Sequence, residues 1–446
     1  MLLIPRILSV LAALFLLAGC EKQPEALSPN VILVSIDTLR ADHLGCYGYD
    51  RPTSPTLDRL ASEGMLFECA YATSPWTLPS HGTMLTGFYP GRIGLNSEDS
   101  TLPTELETLA MVLSKHSFST AAVVNSFFVS EKYGFNRGFD YFCFVPENHA
   151  PIGAAPIIIK QAMQWVQQHK NEQFFLFLHF YDVHANYSTL PQYEEQFVGP
   201  YNGVADGTLA QLIEFRKGTL SLDKADVKHF ADLYDAEIRQ LDDQLKRLLG
   251  FLQQEALLEK SFMIITSDHG EEFLDHGGIL HGRTQYQELI HIPLIIRGPG
   301  IPPSRRFKGI VSLVDMVPTV LSLLGISSPS GLEGLDLSPL WQDNRYKLPD
   351  RFIFSEADQY NLKNDIKRAV WHGKYKLHYD LLTKKLELYN LVNDPTERLN
   401  VASEYPSVGM VLLTKIKKFM MKITGDTQSV PLTPKEIEKL KSLGYL

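Results

Sequence analysis

Asn30-Val31-Ile32-Leu33-Val34-Ser35-Ile36-Asp37 is a short apolar run closed by an acid. Bounded by polar residues, such a run marks a strand covered on both faces. The pattern returns in Ala121-Ala122-Val123-Val124, Phe174-Phe175-Leu176-Phe177-Leu178, Phe262-Met263-Ile264-Ile265 and Pro293-Leu294-Ile295-Ile296. Amphipathic stretches lie between these runs: Pro55 to Gly64, Thr104 to Lys115, Ile157 to His169 and Ala225 to Gln254. Strands alternating with helices predict an α/β fold, a mostly parallel central sheet flanked by helices.

Ser312 to Leu324 adds one more apolar helical run, which Gly325 ends. Beyond Gly331 the texture changes to short aromatic segments separated by turn residues. Phe352-Ile353-Phe354, Arg368-Ala369-Val370-Trp371, Tyr375-Lys376-Leu377-His378-Tyr379 and Leu386-Glu387-Leu388-Tyr389 predict a smaller C-terminal antiparallel sheet. The expected division is a catalytic domain over 30–345 and an α+β subdomain over 346–446.

Open α/β sheets place their ligands at the carboxyl ends of the strands. Asp37 closes the first strand, and Ser267-Asp268-His269-Gly270-Glu271 closes a later one. Carboxylate plus imidazole is a metal-ligand set, and a hydroxyl from Pro75-Trp76-Thr77-Leu78-Pro79-Ser80-His81-Gly82 would complete it. His179-Phe180-Tyr181-Asp182-Val183-His184 follows another strand, and Leu280-His281-Gly282 follows the Asp-His pair. His81, His179, His184, His276 and His281 are therefore candidates to contact a substrate anion or its leaving group.

Met1 to Arg6 and the apolar stretch Ile7 to Leu17 read as an export signal, too short for the ~20 residues of a membrane span. Leu17-Ala18-Gly19-Cys20 resembles the lipobox of bacterial lipoproteins, so residues 1–19 are expected to be removed, Cys20 lipidated and 20–29 left as a tether. Such a protein faces the periplasm of the cell envelope, and Glu21 in place of an aspartate favours the outer membrane. Cys46, Cys69 and Cys143 show no CxxC spacing, though one pair could bridge. With 51 Asp+Glu against 42 Lys+Arg and no long basic run, nucleic acid is excluded as a partner.

Asn30 to Gly48, Pro79-Ser80 with Thr86-Gly87, Tyr234-Asp235-Ala236-Glu237-Ile238, Ser267 to Gly270 and Leu388-Tyr389-Asn390-Leu391 together resemble sulfatases, a branch of the alkaline phosphatase superfamily. The resemblance implies a metal held at Asp37, Asp268 and His269, a nucleophile at Thr77, and a substrate contact at His184. Three positions depart from the family. Thr77 stands where a Cys or Ser is converted to formylglycine, His81 where the family has arginine, and Thr38 where it has a second aspartate.

With one carboxylate lost, Asp37, Thr77, Asp268 and His269 make a four-ligand set with a nitrogen donor, which suits one divalent zinc better than calcium. Zinc would activate the Thr77 hydroxyl directly. Asp182 with His179 and His184 is the candidate set for a second metal, while Glu271, Glu272 and Asp275 read as solvated or supporting acids. The expected substrate is an anionic sulfate or phosphate ester, glycan or lipid derived. The alternatives are a phosphoethanolamine-type transferase acting on envelope glycans, and a catalytically silent protein that binds anionic glycans.

Overall fold

A computed structural model describes residues 29–147, 153–343, 345–358, 366–423 and 425–442. The expected signal peptide and Cys20 lie outside the described residues. Nine strands form the main sheet: β1 Asn30–Ile36, β2 Met65–Tyr71, β3 Ser119–Val124, β4 Tyr141–Phe144, β5 Phe174–Phe180, β6 Ser261–Ser267, β7 His291–Ile292, β8 Leu294–Arg297 and β9 Arg305–Ser312. From one edge they run β9, β2, β8, β6, β1, β5, β3, β4, with β7 also on β2.

Parallel pairing joins β1 to β5 and β6, β3 to β4 and β5, and β9 to β2. The exceptions are β8, antiparallel to β6 and β2, and β7, antiparallel to β2. Pro293 separates β7 from β8 because it has no N–H for the ladder. The register against β2 slips there by one residue, from His291↔Tyr71 to Ile295↔Leu66. β2, β4, β7 and β9 are not among the apolar runs that mark the other five strands. β9 lies at the sheet edge, where Arg305, Arg306 and Lys308 guard against further pairing.

Alternation along the central strands divides the core in two. Val31, Leu33, Phe175, Phe177, Phe262 and Ile264 face one layer, whereas Ile32, Val34, Ile36, Leu176, Leu178, Met263 and Ile265 face the other. This is the period of two that a sheet covered on both faces requires.

The helices that cover the sheet and position the site are α1 Pro55–Ser62, α2 Thr77–Thr86, α3 Leu109–Lys115, α4 Ala155–His169, α5 Lys224–Gln254, α6 Met316–Leu323 and α7 Pro406–Met420. α3 begins later than its pattern predicts because the Thr108 side chain accepts from Met111 N and caps it. α5 starts on a reciprocal capping box between Asp223 and Asp226.

The C-terminal sheet is an antiparallel meander of β10 Ile353–Asp358, β11 Ile366–His372, β12 Tyr375–Asp380 and β13 Leu386–Asn390. Val370, Leu377 and Leu388 pack with Leu412 and Ile416 of α7 in a core of their own. Ile353, Ala369 and Trp371 on the other face join the main core. The chain then returns: Gln428–Ser429 pairs with Ser100–Thr101, and Leu440 enters the main core. The change of sheet falls between Ser312 and Ile353, with side chains interlocked across it. Cys46, Cys69 and Cys143 are all free, so the expected option of a bridge among them is not realised. No helix among the described residues is long and apolar enough to cross a membrane.

Candidate active site

The face that carries Val31 and Leu33 continues into Ser35 and Asp37, and its neighbour on β5 continues from Phe175 and Phe177 into His179. Ser35 and His179 are register partners. On this face the apolar alternation therefore gives way to polar groups at the carboxyl end of the sheet. α2 closes over them. Its N-cap, Trp76, makes no side-chain cap and packs edge-on against Phe128 at 5.5 Å, which places Thr77 in the first turn. The helix ends at Gly87, whose φ of 76° suits glycine and whose N–H donates to Thr83 O at 2.8 Å.

Asp37, Thr77, Asp268 and His269 come together, all fully buried. His269 Nδ1 donates to Gly270 O at 2.9 Å, which leaves Nε2 unprotonated on the other side of the ring. That nitrogen is 3.4 Å from Thr77 Oγ1, 3.6 Å from Asp37 Oδ1 and 3.4 Å from Asp268 Oδ2. Both oxygens of Asp37 and Oδ2 of Asp268 lack hydrogen bonds. Orphaned buried carboxylate oxygens are costly without a cation.

Ligands bound tetrahedrally at ~2.0–2.2 Å stand roughly 3.3–3.6 Å from one another, so the spacing fits a metal. Calcium in a larger shell gives similar edges. The electrostatics of the cluster show the same need for positive charge. Burial pushes Asp37 up to about 7 against the pull of His269. Burial also lifts Asp268, with Asp37 adding to it, while His269 is raised because Asp268 and Asp37 outweigh its burial.

The loop after Asp37 is fixed from α5. The Tyr234 hydroxyl donates to Thr38 O at 2.7 Å and accepts from Arg40 N at 2.8 Å, across a positive φ of 54° at Thr38. Thr38 Oγ1 donates to Val183 O at 2.8 Å, so this hydroxyl does not replace the family's second carboxylate. Gly270 is required after the Asp-His pair, since a Cβ there would sit 2.0 Å from Glu288 O.

Four histidines surround this set, all buried. His81 lies one turn after Thr77, with Nδ1 donating to Thr77 O and Nε2 against Ser35 Oγ, both at 2.9 Å. His179 Nε2 is 3.5 Å from Asp37 Oδ2, and neither of its ring nitrogens has a hydrogen bond. His184 stacks on Tyr181 with centroids 4.1 Å apart, and His281 stands 4.9 Å from the His184 ring and 4.5 Å from that of His269. Burial pushes His81 and His184 down to about 3 and His179 to about 4, and takes His281 well below its usual value. In each ring burial disfavours the charged form.

Two expectations need correcting. His276 is not brought to the cluster as a substrate contact: Nδ1 is 2.6 Å from Glu288 Oε1, Nε2 is 3.0 Å from Glu397 O, and the ring stacks on Tyr286 at 3.7 Å. Nor does Asp182 join His179 and His184 in a second metal set. Its Oδ1 accepts from Ala155 N at 2.8 Å, and the second group of close ligand atoms among the described residues is His81, His179 and Asp268.

Sequence reasoning undervalued Glu271. It is fully buried, with Oε1 2.9 Å from His281 Nδ1 and Oε2 accepting from the Tyr187 hydroxyl at 3.1 Å. Glu272 is also buried and accepts from Thr284 Oγ1, while Asp275 pairs with Arg40 at 2.9 Å. The available signal for Glu271 was its position two residues after His269, inside the same strand-end motif.

A cleft of about 660 Å³ opens beside the cluster, lined by Asn125, Tyr181, Asp182, His184, Glu237 and Lys439 among others. His184 belongs both to the cleft wall and to the histidine group.

Comparison with known proteins bears on this geometry. The sulfatase family profile matches residues 29–326, and the profile described as N-sulphoglucosamine sulphohydrolase, C-terminal, matches residues 275–423. An N-acetylglucosamine-6-O-sulfatase of Bacteroides thetaiotaomicron is 24% identical, over 94% of this chain and 89% of its own length. Arylsulfatase K of Canis lupus familiaris is 24% identical, over 88% of this chain and 82% of its own. A protein solved with its substrate D-glucosamine-2-N,6-O-disulfate superposes with a TM-score of 0.76 at 21% identity, covering 90% of this chain and 99% of the other. The phosphonate monoester hydrolase of Agrobacterium radiobacter gives 0.74 at 20% identity, over 92% and 99%.

Proposed function

This chain belongs to the sulfatase family, and from that premise we propose that it is a metal-dependent hydrolase of singly charged sulfate or phosphate esters, with unmodified Thr77 as nucleophile. The observation that carries the reading is the approach of Thr77 Oγ1 to His269 Nε2 at 3.4 Å, beside the orphaned oxygens of Asp37 and Asp268. Asp37, Thr77, Asp268 and His269 would hold the ion, zinc for preference, which supplies a positive charge that lowers the pKa of the hydroxyl bound to it.

Thr77 sits in the first turn of α2, where the helix dipole also favours an alkoxide. The alkoxide attacks sulfur or phosphorus, a covalent ester of Thr77 forms, and the alcohol departs; water then cleaves the intermediate. His281, oriented by Glu271, is the candidate proton carrier for the departing alcohol and the incoming water. His179, neither of whose ring nitrogens has a hydrogen bond, is the candidate N–H donor to the non-bridging oxygens, whereas His184, whose Nδ1 donates to Ala185 O at 2.7 Å, could donate from Nε2 only when protonated there as well.

Charge narrows the substrate. As carboxylates, Asp37 and Asp268 together balance a divalent ion, and burial works against a positive charge on the surrounding histidines. A monoanion, whether sulfate monoester, phosphodiester or phosphonate monoester, matches this better than a phosphomonoester dianion. Threonine cannot form the aldehyde hydrate used by formylglycine sulfatases, which favours the phosphorus esters among these.

Turnover of matched aryl sulfate, phosphodiester, phosphonate monoester and phosphomonoester substrates by the zinc-loaded protein tests the reading. Cleavage of a monoanionic ester that disappears in Thr77→Ala supports it. Equal turnover by Thr77→Ala, or a preference for the dianion, refutes it. Transfer to an added acceptor in place of water would identify the transferase alternative.

The Leu17-Ala18-Gly19-Cys20 sequence supports a further part of the proposal, that the protein is exported and held by a lipidated Cys20 in the cell envelope, facing the periplasm.

A further inference from the structure

We propose that the cleft beside His184 holds the alcohol half of the ester through a protonated amine carried by that alcohol, seated between Asp182 and Glu237. The proposal rests on the ester-cleaving reading for the identity of the ligand, but its binding test does not require turnover.

Asp182 follows β5 and Glu237 projects from α5, and both line the 660 Å³ cleft with His184. Each carboxyl is anchored by one oxygen to the backbone: Asp182 Oδ1 accepts from Ala155 N at 2.8 Å, and Glu237 Oε1 from Ser188 N at 2.9 Å. The second oxygen of each, Asp182 Oδ2 and Glu237 Oε2, has no hydrogen-bond partner. Glu237 is only 5% exposed. A pinned acid with an unpaired buried oxygen is a receptor for a hydrogen-bond donor.

The lysine on the cleft wall is engaged elsewhere, since Lys439 Nζ is bound to Glu147 at 2.8 Å. Burial and the neighbouring Asp182 charge push the Glu237 carboxyl far above its ordinary value, and burial raises Asp182 to about 7. Burial thus favours the neutral form of both acids. An ammonium ion would favour their ionised forms, turning two desolvated acids into two charge-assisted acceptors and releasing protons. A polyol supplies donors but no charge. An N-sulfated sugar, such as the substrate in the structural neighbour with D-glucosamine-2-N,6-O-disulfate, presents an anion that the same acids repel.

Two sources share this chemistry, an amino sugar and an aminoalkyl headgroup. The test is calorimetry on the whole metal-loaded protein at pH 7, in two buffers of different ionisation enthalpy, with glucosamine, ethanolamine, N-acetylglucosamine and glucosamine N-sulfate as ligands. The expected result is that at least one free amine binds roughly tenfold or more tighter than the acetylated and sulfated sugars. Binding should release protons and weaken by a similar factor in Glu237→Gln and in Asp182→Asn, both checked for unchanged circular dichroism. Tighter binding of glucosamine assigns the cleft to a sugar, and tighter binding of ethanolamine to a headgroup.

Equal binding of glucosamine and N-acetylglucosamine overturns the proposal. So does binding unchanged in both folded variants, or no saturable binding by either amine. Because these ligands contain no ester, amine binding without turnover of any ester would sink the catalytic reading alone, and turnover without amine selectivity would sink this one alone.

Discussion

Glu271 Oε1 and His281 Nδ1 lie 2.9 Å apart in a fully buried pair, and the second Glu271 oxygen is held by the Tyr187 hydroxyl. A carboxylate so placed fixes both the tautomer and the orientation of the imidazole, the arrangement by which a base is aimed at a reacting group. His281 in turn stands against the His269 ring at 4.5 Å, so the orientation is transmitted toward the Thr77 side of the site.

Glu271→Gln should therefore lower kcat by ~10²-fold while leaving KM within a few fold, because the tautomer changes but the binding groups remain. His281→Ala should lower kcat at least as much. Steady-state kinetics on a phosphodiester across pH checks this, and an unaltered kcat in Glu271→Gln would make the pair merely structural.

Thr77→Ala should reduce turnover by ~10³-fold or more without lowering the melting temperature of the metal-loaded protein by more than a few degrees. Thr77→Ser keeps the hydroxyl and should retain measurable activity. Mass spectrometry of quenched wild-type protein should find the covalent ester on Thr77, absent in the alanine variant.

Metal removal should expose the cost of the orphaned acids. Dialysis against a chelator should lower the melting temperature, and zinc restored at ~100 times its dissociation constant should return roughly 2.7 kcal/mol of stability. Asp37→Asn and Asp268→Asn should each reduce the bound zinc measured by elemental analysis. Full zinc content in both variants would place the ion elsewhere.

The C-terminal sheet carries a pH dependence of its own. Burial alone would raise the Glu397 carboxyl, but Lys376 at 3.0 Å and His378 at 2.9 Å hold it at about 2. A carboxylate whose folded pKa is depressed adds stability above its unfolded pKa near ~4.3, and this is lost as pH falls toward 2. Glu397→Gln leaves Lys376 buried without its partner and should cost about 3–5 kcal/mol at pH 7. Urea melts at descending pH should show that difference shrinking below ~4.3.

Cys20→Ala, exported behind a different signal, should appear in the soluble periplasmic fraction, whereas the wild type should partition with membranes. Membrane retention of the variant would contradict the lipid anchor.

The sequence by itself determined the central strands and the convergence of Asp37, Asp268 and His269, which could hold a metal ion. Runs of doubly buried apolar residues cannot be mistaken for loops, and Asp37 and Asp268 continue the parity of positions 31, 33 and 35 and of 262 and 264, so both acids belong to one face of the sheet. It likewise marked Thr77, His184 and His281 by their places in motifs. β9 escaped because an edge strand mixes charge with apolar residues, and β2, which it covers, because Glu68 and Cys69 interrupt its apolar run.

Only the tertiary structure decided what the other polar groups do, because hydrogen-bond partners distant in sequence leave no periodic trace. His276 is bound by Glu288 and by Glu397 O, a residue 121 positions away. Glu271, read as a supporting or solvated acid, proved to be the buried partner of His281 across a turn of the chain. Asp182 and Glu237, 55 positions apart by their numbers, meet at one cleft because the end of β5 and the middle of α5 converge there. Strand parity is a local property of the backbone, whereas the meeting of those two acids depends on how separate elements pack.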